Sequence, residues 1–309
     1  MPFSTSPPAT INQQRASRRM QVLGRQPIGL LLTAPYVIFL VMVMAWPLIQ
    51  AVWISFHDYF FTAPSLVVAH PFVGLDNYRT ALTDPSVRQA FGNIIVFLVI
   101  NVPLTVILSL ILASALNSIV RWATLFRIAF YIPYVTASVS LIGVWMLLFS
   151  QHGVINSVLG PFAPDPSWLV NSRLAMPSIA LYVTWKQLGF YILLYLAALQ
   201  NISRSLYESA SVDGAGAIRQ FWHITVPGVR QATVLVLILA VITGSNLFTE
   251  PYLLTAGGGP DGASLSPVLL IYQKGIQQTN PDVASAIGVV LVVFIGILSV
   301  ISNRVGKED

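Results

Sequence analysis

The sequence predicts an all-α membrane protein with six transmembrane helices, and composition, apolar runs and charge placement all support this fold class. Of the 309 residues, 55% are hydrophobic and 9% are charged, whereas soluble domains contain about 25% charged residues. Six apolar runs approach or exceed the roughly 20 residues needed to cross a bilayer. They cover residues 28–54, 91–116, 128–149, 174–199, 232–254 and 283–302, within a transmembrane domain over 28–303.

The first apolar run follows a polar, basic segment, so it has to be distinguished from a secretion signal. It is too long for the apolar region of such a signal and lacks a convincing small-residue cleavage site. We therefore expect it to remain as a helix, preceded by a basic tail over residues 1–27 that is attracted to anionic membrane lipid.

Basic residues occur in alternate connecting segments, which predicts the orientation of the chain. They precede the first span, separate the second from the third and the fourth from the fifth, and follow the sixth: Arg15, Arg18, Arg19, Arg25, Arg121, Arg127, Arg204, Arg219, Arg230, Arg304 and Lys307. The positive-inside rule places these segments, including the tail over 304–309, in the cytoplasm. Both termini are expected there. Because the basic residues are dispersed, the net charge of +5 does not predict nucleic-acid binding.

The sequence offers no set of residues suited to metal binding or hydrolysis. The chain has no cysteine, which excludes disulfides and thiolate metal sites. Its four histidines, at 57, 70, 152 and 223, lack the spacing of metal ligands. The G-x-S-x-G and H-E-x-x-H motifs are also absent, so an intramembrane hydrolase is disfavoured and no catalytic residue is predicted.

The connection over residues 201–229 is longer and more polar than the other predicted inner loops. Ser205 and Glu208 have the spacing of a capping box, which predicts a helix that begins at Leu206. Asp213-Gly214 should end that helix, because glycine adopts the left-handed conformation common at helix ends.

A second short helix is predicted from about residue 215 to residue 223. It places Ala217 or Ile218 on one apolar face with Phe221 and Ile224, and Pro227 should close the element. These residues alone also allow two purely structural interpretations of the loop. Glu208 could only cap the helix, and the apolar face could pack against the chain's own helix ends or against lipid.

The same loop resembles a known signature. Residues 208–215 read E-S-A-S-V-D-G-A and are followed by Phe221 and I-T-V-P over 224–227, which resembles the E-A-A-x-x-D-G-A…F-x-x-I-x-x-P signature of ABC importer permeases. Departures at Ser209 and Val226 are small. The resemblance implies a type I ABC importer permease fold in which this loop is a coupling helix. The implied ATPase-coupling residues are Glu208, Ala210, Asp213, Gly214, Phe221, Ile224 and Pro227.

The resemblance also implies partners. The chain lacks the G-x-x-x-x-G-K-[ST] phosphate loop, so ATP and Mg²⁺ are expected on a separate ATPase subunit and no cofactor in this chain. Further segments, among them 72–78, 188–190, 196–199 and 254–260, resemble the maltose and glycerol-phosphate type of permease. This branch implies a second homologous permease subunit, two ATPase subunits, an extracytoplasmic solute-binding protein or lipoprotein, a carbohydrate-like solute and a prokaryotic plasma membrane.

Lys186 is the main candidate for a residue on the solute pathway. It lies about 18 Å from the outer end of the fourth span at about 1.5 Å per residue, and a charge at such depth faces a bundle interior or a wet cavity. Candidate residues around it are Trp185, Gln187 and Gly189 in the same span, where glycine offers room, and Thr243 and Asn246 in the fifth. Glu250 is predicted too near the outer surface to reach Lys186. A lysine paired with a neighbouring helix is the alternative.

A secondary transporter not coupled to ATP is the leading alternative function. It would also have several spans, a buried lysine and Gly/Pro interruptions near its binding site. Such a protein has no need of the patterned loop over 208–227.

Overall fold

The computed structural model of the chain describes residues 27–62, 68–118 and 122–305. The basic tail before residue 27, Arg121 and residues 306–309 lie outside the described residues. The α-helices are α1 (Pro27–Leu40), α2 (Trp46–Ser55), α3 (Asp76–Thr83), α4 (Pro85–Ser118), α5 (Ala123–Val135), α6 (Ser138–Leu148), α7 (Val154–Leu159), α8 (Ala175–Leu199), α9 (Arg204–Val212), α10 (Ala217–Gln220), α11 (Val226–Gly228), α12 (Arg230–Ser245), α13 (Thr249–Leu254), α14 (Pro267–Tyr272) and α15 (Pro281–Val305).

The described residues contain no β-strand, so the all-α fold class is confirmed. An isolated antiparallel bridge joins His57 and Phe72 in the connection that follows α2. Short 3₁₀ turns occur at 160–162, 168–170 and 260–262, and π turns at 41–45, 221–225 and 273–277.

The chain divides into two compact units after Trp53. The first contains α1, a π turn over Val41–Ala45 and the start of α2. In that turn the Trp46 N–H donates to the carbonyl of Val41, one residue further back than in an α-helix. The wider turn directly precedes Pro47, which has no N–H to donate and whose ring crowds the preceding turn. The helical path therefore continues past a residue that normally interrupts it.

Length and composition identify the candidate membrane spans. Within the described residues, four helical stretches qualify: Leu31–Ser55, Pro85–Ser118, Ala175–Leu199 and Pro281–Arg304. Two bent pairs also qualify if each pair is counted as one span, which gives up to six. The coarse prediction of several transmembrane helices is thus supported, and the number six depends on those two pairs.

The third predicted span, 128–149, is broken in the structure. Helices α5 and α6 are bent by 96° relative to each other. Pro133 lies in the last turn of α5, and Thr136, which follows that helix, has extended backbone angles of φ −73° and ψ 143°. A single continuous helix is therefore the wrong description of this region. The sequence did not reveal the break because both segments are apolar.

The fifth predicted span, 232–254, is also interrupted. Helix α12 ends at Ser245, and α13 begins at Thr249 after a short non-helical connection. The preceding segment, Ala217–Gly228, meets α12 at an angle of 69°. The span predicted over 91–116 is longer than expected and begins at Pro85. Asp84 marks this beginning, since its Oδ1 accepts a hydrogen bond of 2.8 Å from the Ser86 N–H.

Helix α8 is the centre of the second unit and packs against α4, α5 and α12. Tyr182, Tyr191 and Tyr195 of this helix are among the largest fully buried side chains. The hydroxyl of Tyr195 donates to Thr233 Oγ1 of α12 at 3.1 Å. Buried tyrosines of this kind need a polar partner, and the bond fixes the contact between the two helices.

An ion pair on the side of the fold that is predicted to be extracytoplasmic joins two elements that are distant in the sequence. Lys274 Nζ lies 2.8 Å from Asp84 Oδ2, with side chains 20% and 19% exposed. Burial raises the pKa of Asp84, but hydrogen bonds from the Lys274 ammonium and the Ser86 N–H outweigh it, so the pKa lies below its ordinary value. The carboxylate form is stabilised in the folded protein.

A lowered pKa in the folded state contributes stability above the ordinary carboxyl pKa, and this contribution disappears as the pH falls through the lowered value. Asp84→Asn should therefore lower the melting temperature at pH 7 by the equivalent of less than about 1 kcal/mol, because the pair is partly solvated. The difference from the native protein should shrink below about pH 4. Melting curves of the purified complex between pH 7 and pH 3 measure this, with Asp261→Asn as the control. A difference that does not change with pH would contradict the assignment.

Candidate coupling loop and solute pathway

The first arm of the patterned loop is helix α9, which begins two residues earlier than predicted. Ser203 is the N-cap residue and its side chain makes no capping hydrogen bond. Ser205 lies inside the helix, where its hydroxyl bonds to Ser203 Oγ at 2.7 Å. The predicted capping box is therefore wrong, because a residue inside the helix cannot act as its cap. The Glu208 side chain is exposed and, within the described residues, makes no hydrogen bond or ion pair, so capping does not explain it.

The bend after α9 depends on Gly214. Its φ is +78°, and the Gly214 N–H bonds to the Ser211 carbonyl at 3.1 Å while the Ala215 N–H bonds to the Ala210 carbonyl at 2.8 Å. These two bonds form a Schellman motif, which strongly favours glycine at the left-handed position. The prediction that Asp213-Gly214 ends the helix is confirmed, and Asp213 is the C-cap residue.

The second arm is longer than predicted and does not end before Pro227. It consists of α10, a π turn over Phe221–Thr225 and α11. Val226 is helical, with φ −59° and ψ −49°. As in the first unit, the wider turn lies just before a proline and relieves the crowding that its ring would cause. The expectation that Pro227 excludes Val226 from the helix is wrong for this reason.

The two arms are tied together and to the helix bundle on one face. Tyr207 Oη and Thr225 Oγ1 are 3.0 Å apart. Phe221 and Val226 pack against the buried cluster that includes Leu199 and Val229. The interpretation that apolar loop residues rest on the chain's own helix ends is thus correct for Phe221. Ile224 is half-buried.

The opposite face of the loop presents apolar side chains to solvent. Val212 is 88% exposed, Ile218 79% and Trp222 62%. Glu208, Asp213, Gly214 and Pro227 are also exposed, and Ala210 is half-buried. The loop therefore exposes an acidic side chain and several large apolar side chains to solvent. Surfaces of this composition mark protein interaction sites.

Lys186, in the middle of α8, has two polar partners from other helices. Its Nζ donates to Ser138 Oγ at 2.5 Å and lies 3.5 Å from Glu250 Oε1, with side chains 14% and 13% exposed. The Tyr182 ring centroid is 6.0 Å away. The prediction that Glu250 does not reach Lys186 is wrong. It placed Glu250 on an unbroken fifth span, whereas α13 follows a break after Ser245 and packs against α6 and α8.

The other predicted pathway residues have different environments. Trp185 is 39% exposed and its ring centroid lies 5.5 Å from that of Trp145, while Gln187 is half-buried. Thr243 and Asn246 are exposed, and Asn246 Nδ2 donates to the carbonyl of Ile242 at 2.7 Å.

Gly189 does not leave room for a solute. A Cβ atom at this position would lie 2.2 Å from the Phe130 carbonyl oxygen and 2.8 Å from the Tyr131 Cα. The absence of a side chain is required by the close approach of α5 to α8, as is common between membrane helices. The predicted role of Gly189 in making space along the pathway is replaced by a role in packing.

Sequence reasoning missed Ser138 and Glu250 as partners of Lys186. Both lie at the beginning of a helix that follows a break, in α6 and α13 respectively. The available signals were Pro133 before the first break and the polar run T-G-S-N over 243–246 before the second. These patterns identify interruptions but not the direction in which the chain turns.

Comparison with known proteins agrees with this geometry. The family model "Binding-protein-dependent transport system inner membrane component" matches residues 28–306. The arabinooligosaccharides transport system permease protein of Halalkalibacterium halodurans is 31% identical over 94% of this chain and 91% of its own length. The sulfoquinovosyl glycerol transport system permease protein of Agrobacterium fabrum is 32% identical over 87% of each chain.

A solved structure shows the same fold. The bacterial alginate ABC transporter, crystallised with an alginate pentasaccharide-bound periplasmic protein, contains a chain with a TM-score of 0.78 and 21% identity, covering 94% of this chain and 97% of that one. Members of the family are transport components of multi-pass membrane complexes and have no ATPase site of their own. The chain therefore belongs to the inner membrane components of binding-protein-dependent transport systems, as a permease of the carbohydrate-uptake ABC importer type.

Proposed function

We propose that this permease is one of two homologous membrane subunits of an importer that moves a sugar or related polyol across the prokaryotic plasma membrane. Two ATPase subunits bind ATP and Mg²⁺, and an extracytoplasmic solute-binding protein delivers the solute. The names of the relatives support a carbohydrate-like solute. The alginate transporter structure, which includes a periplasmic protein, supports the delivery step.

The proposed topology has six spans, with each bent helix pair counted as one, and both termini in the cytoplasm. The loop over 201–229, with Arg204 and Arg219, then lies in the cytoplasm, as the positive-inside rule requires. The described residues leave the loop's outer face uncovered.

The exposed surface of this loop is the observation that carries the proposal. Glu208 is a charged side chain without a partner among the described residues, and Val212, Ile218 and Trp222 of the same loop are large apolar side chains exposed to solvent. Such a surface fits a cleft on the ATPase that has an apolar floor and a basic group for Glu208. Closure of the ATPase dimer then moves the loop and, through it, the attached helices.

Glu208→Lys tests the docking assignment. The charge reversal places a cation opposite the basic group and should reduce the amount of tagged ATPase that co-purifies with the permease by about tenfold or more, which corresponds to about 1.4 kcal/mol. ATP-dependent uptake should fall with it. The control is Val158→Lys, at an 81% exposed position outside the loop.

A second variant pair tests the bend without a change of charge. Gly214→Val forces a β-branched residue into φ +78°, whereas Gly216→Val occupies φ −68° with no atom within 4 Å of its Cβ. The first should weaken ATPase recovery and the second should not. Full ATPase recovery and normal uptake in both Glu208→Lys and Gly214→Val would refute the assignment. Uptake that persists without ATP would instead favour a secondary transporter.

A further inference from the structure

Helix α5 carries one charged side chain, Arg127, for which the described residues provide no counter-ion. The side chain is half-buried, its Nε atom is buried without a hydrogen-bond partner, and no described residue forms an ion pair with it. We propose that Arg127 binds the phosphate of an anionic phospholipid, in the cytoplasmic leaflet if the proposed topology holds. This lipid site is separate from the coupling loop and from Lys186.

The helices packed against α5 do not supply the missing negative charge. Helix α5 packs mainly against α8 and also against α4. Neither helix contains an acidic residue, and their charged residues are Lys186 and Arg88. Glu208 and Asp213 of the loop are exposed and neither bonds to Arg127. An arginine stays protonated, and an unpaired charge that is partly withdrawn from water is costly. The counter-ion should therefore come from outside the described part of the chain.

The position of Arg127 along α5 fits the boundary between the hydrocarbon and the lipid headgroups. The helix begins at Ala123, after a connection that the positive-inside rule places in the cytoplasm. Four residues at about 1.5 Å each place the Arg127 Cα about 6 Å from that beginning, and a long arginine side chain can reach the headgroups from such a depth. Trp122, directly before the helix, is 70% exposed, and tryptophan is enriched at this level of membrane proteins.

The surroundings of Arg127 suit a lipid better than a free anion. Its sequence neighbours Leu125, Phe126 and Ile128 are apolar and 44–56% exposed, so acyl chains can cover them. A guanidinium donates several parallel hydrogen bonds to one phosphate. Headgroup and acyl chains of one lipid molecule can therefore be bound together.

The contact between α5 and α8 explains why Arg127 is half-buried. Phe130 and Tyr131, three and four residues further along α5, supply the backbone atoms that approach Gly189 of α8. Residues with this spacing share a helix face, so Arg127 lies on the side of α5 that faces α8. Basic groups beside the junction of two membrane helices on the cytoplasmic side are typical of sites for acidic headgroups.

A lipid titration of the purified complex tests the proposal. The complex, in a neutral detergent with zwitterionic phosphatidylcholine, is titrated with phosphatidylglycerol, and the bound lipid is counted by native mass spectrometry. Arg127→Gln should weaken the tightest phosphatidylglycerol binding to this chain by about tenfold, which corresponds to about 1.4 kcal/mol. Arg304→Gln is the matched control, because it also removes one exposed basic side chain from the predicted cytoplasmic side; it should bind like the native protein.

Thermal unfolding of the same samples provides a second readout. With phosphatidylcholine alone, Arg127→Gln should melt at the native temperature or above it, because it removes an uncompensated charge. Phosphatidylglycerol should then raise the melting temperature of the native protein more than that of the variant, since a ligand stabilises the state that binds it. Arg127→Lys keeps the charge but loses the planar guanidinium, so its affinity should be intermediate. This variant decides the result if Arg127→Gln does not assemble.

Equal phosphatidylglycerol affinity of the native protein and the assembled Arg127 variants overturns the proposal. A melting temperature of Arg127→Gln that is lowered by the same amount with either lipid also overturns it, because Arg127 would then pair with a partner subunit. Inorganic phosphate forms the last arm of the test. If it stabilises the native protein as much as phosphatidylglycerol does, the site takes a free anion and the lipid assignment is wrong. The measurements need neither solute nor ATP, so their outcome is independent of the Glu208 experiment.

Discussion

Gly189→Ala is expected to abolish most of the folded permease, although it adds a single methyl group. The new Cβ would lie 2.2 Å from the Phe130 carbonyl oxygen and 2.6 Å from the Phe130 carbonyl carbon. Both are backbone atoms, so no side-chain rotation can relieve the clash, and α5 must move away from α8. Overpacking of a well-packed core costs about 1–3 kcal/mol of folding free energy and sometimes more. Because the contacted atoms belong to the α5 backbone, we expect a cost at the upper end of this range.

The measurement is the yield and melting temperature of the detergent-solubilised complex, followed by fluorescence-detected size exclusion. Gly92→Ala in α4 and Gly143→Ala in α6 are matched controls, because no atom lies within 4 Å of the Cβ built at either position. These controls should be neutral or slightly stabilising, since alanine favours helix over glycine by up to about 1 kcal/mol. Equal yields for all three variants would show that α5 and α8 do not approach as closely as described.

Removing one member of the Lys186–Glu250 pair is expected to destabilise the permease strongly, and removing both is expected to restore most of the loss. Lys186→Met leaves Glu250 without its partner at 13% exposure. Breaking a buried pair costs about 3–5 kcal/mol because the remaining charge is uncompensated. In Lys186→Met/Glu250→Gln no charge remains, so the cost of burial falls for both positions.

A double-mutant cycle on the apparent unfolding temperature of the complex measures this coupling. Lys274→Met provides the comparison, because its pair with Asp84 is 19–20% exposed and Asp84 keeps the Ser86 N–H as a donor. Its effect should be below about 1 kcal/mol. Additive losses from Lys186→Met and Glu250→Gln would show that the two residues do not interact in the membrane-embedded complex.

The sequence predicts the helical class because apolar runs of span length are difficult to place anywhere except in a membrane. Helix α8 was predicted over 174–199 and is observed over Ala175–Leu199, since apolar residues predominate along its whole length and polar residues follow Leu199. Gly214 was equally predictable, because a left-handed residue between two short helices is nearly always glycine. In these cases the local chemistry determines the local structure.

The breaks could not be predicted in the same way. Pro133 indicates an interruption near the end of α5, but the sequence does not give the 96° angle between α5 and α6. Pro227 indicated a helix end, yet the π turn over Phe221–Thr225 lets the helix continue. Because hydropathy does not contain the direction of a bend, the contacts of Lys186 with Ser138 and Glu250 followed only from the three-dimensional arrangement.

Helix α8 runs without interruption for 25 residues. Its C-terminal half contributes to the buried cluster against which Phe221 of the loop packs. The other route from the loop, through α12, is interrupted between Ser245 and Thr249. A displacement of the loop should therefore move α8 as one rigid element. Along α12, part of the same displacement can be taken up by a change in the angle between α12 and α13. The Lys186–Glu250 contact connects α8 with α13, beyond that break. We therefore expect the distance between Lys186 Nζ and Glu250 Oε1 to change during the transport cycle.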